Sequence, residues 1–354
     1  MNKYAIRYFI VLLAFISVLT LFPAFCFAAE NVPVPASVSE GMFKKRDYNT
    51  SFTEHTRVEL SDLSALAEVR GVSVNNNIIT FKRPGSYLLT GALDAGRLVI
   101  DIDEDEKVQL ILDNASITCH DDAAIFVASA DKVFITTAEG SSNTVISDAE
   151  LLDAKIDAAI YSDCDLTLNG LGSLSVSCPK GHAVASKDDL KITSGKYELT
   201  AGKQGLNGKD SIRIAGGEIR ISSARDGMHS EHKKSDKGFI YICGGNINIS
   251  AGRDGIYASN YVVITDGELK IESGNGSSDT ADGKTSPSCK GICSDTSITV
   301  YGGNITVDTF DDAVHSKGDV RFWGGTSLLF SGKEAIDGEA KIDIAEGTVE
   351  EHKK

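Results

Sequence analysis

Acidic side chains recur at one place in a repeated phrase of this sequence. The phrase reads RDGMHS at 225, RDGIYA at 253, DDAVHS at 311 and KEAIDG at 333, which sets Asp226, Asp254, Asp312 and Glu334 in one register, with Asp311 and Asp337 close by. Carboxylates stacked one strand spacing apart repel one another unless a cation lies between them. Calcium accepts oxygen ligands at about 2.3–2.6 Å and suits such a gap, whereas the lack of a close-spaced Cys/His pattern disfavours zinc. Asp226, Asp254, Asp311, Asp312 and Glu334 are therefore the candidate Ca2+ ligands, with Asn207 and Ser230 able to add side-chain oxygens. An Asp before Gly also forms turns, which is enough to explain any single position. It does not explain acids in the same register of neighbouring units. Gln204 and Lys290 interrupt the row, so separated sites are expected rather than a continuous ladder.

The same corner carries His182, His229 and His315, the last two one residue after the aliphatic position of the phrase. A corner histidine suits a hydrogen bond to a sugar or a turn cap better than catalysis. Tyr241, Tyr257, Tyr261, Tyr301 and Trp323 offer aromatic faces for sugar stacking, unless they point into the core. Tyr257, His229 and His315 are the candidate carbohydrate contacts. The competing reading is an enzyme. A lyase would use calcium to bind uronate and one of Arg213, Arg220, Arg225 or Arg253 as base, and a hydrolase would pair Asp311 with Asp312 as acid and base.

What positions these residues is a repeat. The small residue before the aliphatic one falls at Ala124, Ala159, Ala183, Gly205, Gly227, Gly255, Gly291, Ala313 and Ala335; four of the eight steps are 22 residues and the rest are longer. A second half follows each phrase, two short alternating strands around a Gly turn, as in DSIRIAGGEIRIS and TSITVYGGNITVD. One such unit cannot bury a core. Successive units stacked about 4.8 Å apart make a continuous interior of aliphatic ladders. The pattern predicts an all-β fold, a right-handed parallel β-helix with coils of about 22 residues. A β-sandwich has no reason to repeat a phrase at that step, and the leucine spacing and asparagine ladder of a leucine-rich repeat are missing. A single β-helix domain is expected over 57–354, with irregular first coils at 57–121 and regular repeats at 122–354. The long steps place insertions at about 139–155, 231–237 and 275–288.

Ahead of this body, Lys3 and Arg7, the apolar run 9–22, and Pro23 with Ala28 and Ala29 read as a signal peptide over 1–28, followed by a loosely ordered leader at 29–56. The run is shorter than the roughly 20 residues of a spanning helix. Cys26 follows Phe25, where a lipobox has a small residue. Cleavage would remove two basic residues from a chain whose formal charge is already −15. So acidic a surface argues against nucleic acid and for cations and neutral sugars. A secreted or cell-surface protein is expected. Six cysteines remain after processing, an even number, and no pairing follows from their spacing.

Several stretches together resemble a known family: GSYLLTGAL at 85, DEKVQLILDNASITC at 105, AIYSDCDLTLNGLGSLSV at 159, KDDLKITSG at 187, KDSIRIAGGEIRIS at 209, FDDAVHSKGDV at 310 and KEAIDG at 333. The chain is similar to the secreted bacterial carbohydrate-binding β-helix proteins of the clostridial cellulose- and pectin-binding type, whose fold is pectate-lyase-like. That resemblance implies a calcium-bound, noncatalytic binder of a polysaccharide such as cellulose or pectin. The family's DDGI-like corners fall on Asp226, Asp254, Asp311 and Asp312, and its EGI-like corner on Glu334. Gln204 departs from the pattern, which implies a lost metal site at that coil.

Overall fold

Alternation of inward aliphatic and outward polar residues is realised coil after coil. In the strands Leu206–Gly208, Ser211–Ile214 and Glu218–Ser223, the side chains of Leu206, Ile212, Ile214, Ile219 and Ile221 are buried while Arg220 and Ser222 face out. The next coil superimposes its own strands on these in parallel, Leu206 beside Met228, Ile212 beside Ile240 and Ile219 beside Ile247. The computed structural model describes residues 33–61, 63–66, 69–148, 155–277 and 288–353. Through them the chain winds a parallel β-solenoid of about 11 turns of about 24 residues, almost without helix. The turn length exceeds 22 because four of the eight repeat steps are longer than that.

Two strands of each coil build a 19-stranded sheet and the third, short strand builds a 12-stranded one. The short-strand sheet begins with an antiparallel hairpin, Val72–Asn75 with Ile78–Phe81, whose tip residues Asn76 and Asn77 both have positive φ. That is the backbone twist a tight hairpin requires. Its second strand starts the parallel stack beside Arg97–Asp101. The small residue of the phrase has a packing cause. A Cβ at Gly227 would lie 2.3 Å from the Ile249 Cγ2, and one at Gly255 2.2 Å from the Ile271 Cγ2. The β-branched residue on the far wall leaves no room for a methyl.

The segment expected to be a loosely ordered leader is instead packed along the flank. Val34, Val38, Met42 and Phe43 lie against Phe239, Tyr241, Val263, Tyr301 and Trp323. Arg213 Nη1 donates to the Met42 carbonyl at 3.0 Å, and Asp47, 1% exposed, accepts from Lys132 Nζ at 2.6 Å. The carbonyl of Asp47 takes bonds from Asn169 and Thr193 on two further coils. This strap therefore pins at least four coils. Of the expected insertions, 231–237 is a loop whose Lys237 pairs with Asp210. Residues 142–147 of the first are a solenoid strand, Ser142–Ser147, so the extra length there begins later than the repeat spacing suggests. Residues 149–154 of that insertion, most of the third and the signal segment lie outside the described residues. Among the described residues no helix is long and apolar enough to cross a membrane.

Candidate functional site

On the short-strand sheet each strand points its central aliphatic side chain inward, and the positions two before and one after it face out. The parallel register aligns these outward positions into two columns. The first holds His182, Gln204, Asp226, Asp254, Lys290, Asp312 and Glu334. The second runs Tyr161, Ala185, Asn207, His229, Tyr257, Cys293, His315 and Asp337. All the candidate ligands and sugar contacts except Asp311 stand in these columns, and Asp311 immediately precedes the first.

The structure sorts the acids into two groups. In the first, Asp226 Oδ2 lies 2.7 Å from His229 Nδ1 and 3.2 Å from Gln204 Nε2, and its Oδ1 accepts from the Asp254 backbone at 3.3 Å. Burial pushes the Asp226 carboxyl up, but His229, Gln204 and the nearby Arg253 outweigh it and hold the group below the usual carboxylate range. Asp254 has less help: burial, reinforced by the charge of Asp226, raises it to about 6 against the Lys290 backbone N–H and the charges of Arg253 and Lys290. Beside this pair the rings of His229 and Tyr257 stack, centroids 4.9 Å apart, and Tyr257 Oη donates to Asp295 Oδ2 at 3.3 Å.

In the second group Lys290 crosses to Asp312 at 2.7 Å and to Asp311 at 3.3 Å, and Lys333 reaches Asp311 at 2.8 Å. Against the upward push of burial, those ammonium groups keep Asp311 below its ordinary range; burial pushes Lys290 down, and Asp312 and Asp311 outweigh it and raise the group. Across the corner, His315 Nδ1 lies 2.7 Å from Asp337 Oδ2, and ligand atoms of Asp312, His315 and Asp337 all fall within 4.8 Å of one another. Glu334 is exposed, and its backbone rather than its carboxylate meets Asp312, at 3.2 Å. Asp337 is thus better placed than Glu334 to share a cation with Asp312. Its signal in the sequence was its register with His315, one residue after the aliphatic position.

Of the five aromatic candidates only Tyr257 stands on this face. Tyr241, Tyr261, Tyr301 and Trp323 belong to the flank cluster, Tyr301 and Trp323 in edge contact at 5.4 Å and the former almost fully covered. Among the candidate bases, Arg213 is tied to Asp189 and to the strap, and Arg220 to Glu218 on another face. Arg253 is the one whose charge reaches Asp226 and Asp254. Cys119, Cys164, Cys178 and Cys293 are buried thiols, and burial pushes Cys293 up to about 12.

Comparison with known proteins bears on what this face serves. A family model described as carbohydrate-binding domain-containing protein matches residues 75–338. A curated relative from Acetivibrio thermocellus with the same description is 36% identical over 139 residues, 38% of this chain and 48% of the relative, so the alignment spans about half of that protein. Among solved structures, a polysaccharide lyase-like protein from C. thermocellum, in a gadolinium derivative, superposes with a TM-score of 0.55 at 25% identity, covering 83% of this chain and 98% of that one.

Proposed function

Because the chain belongs to the family of carbohydrate-binding domain-containing proteins, we propose that it is a noncatalytic polysaccharide-binding protein acting outside the cytoplasm. The sugar lies along the short-strand face and calcium supports the acid groups. The observation that carries this reading is the stacked pair His229 and Tyr257 standing beside Asp226 and Asp254 on one outward surface. A pyranose has apolar C–H faces and an equator of hydroxyls, and it is recognised by ring surface next to hydrogen-bonding groups. Residues on adjacent coils repeat that combination at the spacing of a strand ladder.

Calcium is supported by the charge balance at Asp254. A buried carboxyl raised to about 6 by burial and by a second carboxylate is a group short of positive charge, and a divalent cation between the two would supply it. At Asp312, Lys290 already supplies part of that charge, so the second site would draw on Asp337 and be weaker. Cellulose and pectin are the polymers proposed, and the basic, apolar and small-residue order of the first 28 residues supports export. A lyase is the second reading, favoured by Arg253 beside the acid pair.

The test is to incubate the mature protein with cellulose, polygalacturonate and xylan, in calcium and in chelator, measuring both retention and released sugar. Retention without release, lost in chelator for the neutral polymers and weakened for polygalacturonate, is the expected outcome. Release of unsaturated product would replace the binder with the lyase, and failure to retain any polymer would end the proposal for these polysaccharides.

A further inference from the structure

The face is not uniform along its length. In the second outward column the bulky rings of Tyr161 and His229 bracket Ala185 and Asn207, and three strand spacings, about 14 Å, separate the two rings. The short side chains between them leave a cleft of about 420 Å³, inside the range of about 300–1,000 Å³ that small-ligand sites occupy.

The floor of this cleft includes Gln204, 7% exposed. Its Nε2 donates to Asp226 Oδ2 at 3.2 Å, while its Oε1 is buried without a partner. Exchanging the two amide atoms would set an oxygen against the carboxylate, so Asp226 fixes the orientation and leaves the orphan an acceptor. A buried acceptor of this kind calls for an O–H or N–H from outside the chain. Asn207 stands beside it, its Nδ2 3.4 Å from His182 Nε2.

The rim is cationic in a chain that is acidic overall. Lys187 and Lys209, both exposed, follow the aligned pair Ser186 and Gly208 on adjacent coils, and Lys155 lines the cleft with them. Lys187 lies over the Tyr161 ring at 5.7 Å and pairs with Asp163 at 2.5 Å. Two carboxylates also line the space. Asp157 is paired with Lys203 and lies 3.4 Å from His182 Nε2, and Glu231 lies 3.4 Å from His229 Nε2.

We infer that this cleft is a subsite for an acidic sugar, a uronic acid residue whose carboxylate is held directly by Lys187 and Lys209. Its hydroxyls meet Gln204 Oε1 and Asn207. No bridging cation is involved, because at this coil the corner acid is replaced by Gln204 and the residue before it is Lys203. A ligand that was only an oxyanion would leave the Gln204 acceptor facing another acceptor; a hydroxylated carboxylate satisfies both rim and floor. The inference rests on the polysaccharide-binding reading and names a ligand class and a place for it.

The experiment is affinity electrophoresis of the mature protein in polygalacturonate, in its methyl-esterified form and in a neutral xylan, all in chelator, with wild type and with the double variant Lys187→Ala/Lys209→Ala. Both lysines are exposed, and an unchanged melting temperature will show that the variant is folded. Wild type should be retarded by the acid polymer and much less by the ester. The double variant should lose at least about tenfold in affinity for the acid polymer, the loss expected for one charge-assisted hydrogen bond, with xylan unaffected. Equal retardation by acid and ester, no retardation by the acid polymer in chelator, or an unaffected double variant would overturn the subsite. If calcium-dependent retention on polysaccharide persisted in those cases, the general reading would stand, whereas loss of every glycan with and without calcium would remove both.

Discussion

Replacing Asp47 by Ala should release the N-terminal strap from the solenoid flank. The Asp47 carboxylate is buried between the Nζ of Lys132 at 2.6 Å and the Nζ of Lys191 at 3.9 Å, and those side chains are themselves only 6% and 3% exposed. Removing the anion leaves Lys132 with an uncompensated buried charge, while Lys191 keeps Asp189 at 3.3 Å. Breaking a buried pair from one side costs about 3–5 kcal/mol, between two and four orders of magnitude in the docking equilibrium. The loss is expected to be local, because the aliphatic ladders do not pass through the strap. Trp323, the one tryptophan of the sequence, packs in the cluster that the strap covers. Its emission should therefore shift toward the solvent-exposed value in Asp47→Ala at denaturant concentrations that leave the far-ultraviolet β signal intact, and protease should cut the strap first. Acid should do the same to the wild type. Burial pushes Asp47 up, but the bonds from Lys132 and the Lys44 backbone and the charge of Lys191 win, and the folded group titrates below its ordinary 3.8. The docking energy is then present above that value and lost as pH falls through the lower folded one. Trp323 emission and protease resistance that match wild type in Asp47→Ala would refute the argument.

Other positions are as open to test. Gly227→Ala should destabilise by about 1–3 kcal/mol in urea unfolding, since its methyl meets Ile249 at the far wall. For Asp254 the sign is reversed from that of Asp47: its folded value of about 6 exceeds the ordinary 3.8, so stability falls as pH rises from about 4 through 6. Asp254→Asn should consequently raise stability at pH 7, by roughly 3 kcal/mol at most, and shrink the melting-temperature gain produced by calcium; an unchanged melting curve in metal-free buffer would contradict this. Lys290→Ala should lower metal-free stability by leaving Asp312 without its ammonium partner and Asp311 with Lys333 alone, and should enlarge the stabilisation by added calcium, measured as a melting-temperature shift.

The winding of the chain was legible because its cause is local and repeated. A phrase that returns in coil after coil, at steps of 22 residues or more, states the register directly, so the partners of Asp226 and His229 on the next coil follow from lining up the phrases and not from counting residues. The strap was not legible for the opposite reason. Its docking depends on Lys132, Lys191 and Arg213, which lie far away in sequence and come into line only when the coils stack, and nothing in 33–52 repeats. Four of the five aromatic faces were illegible for the same reason: Tyr301 and Trp323 stand on successive coils, but whether an outward ring is free depends on what else covers it. Glu334 was read from its register alone, which fixes the column of a residue and not the direction of a long, exposed side chain.

The corner of the repeat is one backbone geometry carrying different charges along its length. Where the corner is Asp on consecutive coils, at 226 and 254, the fold holds two carboxylates one rung apart and burial raises one of them, a standing demand for a cation. Where it is Gln204 next to Lys203, the same geometry leaves an orphan carbonyl oxygen and lysines on the rim, a demand for an anion that also carries hydroxyls. Lys290 is the intermediate case, in which the chain supplies the cation itself. Because the backbone ladder is unaffected by these exchanges, a change at a single corner residue would, on the proposed reading, convert a metal-bridged contact into a direct one without refolding the coil. An acidic polymer laid along the axis would meet the two kinds of contact in succession, the lysine rim first and the acid pair one to two coils beyond.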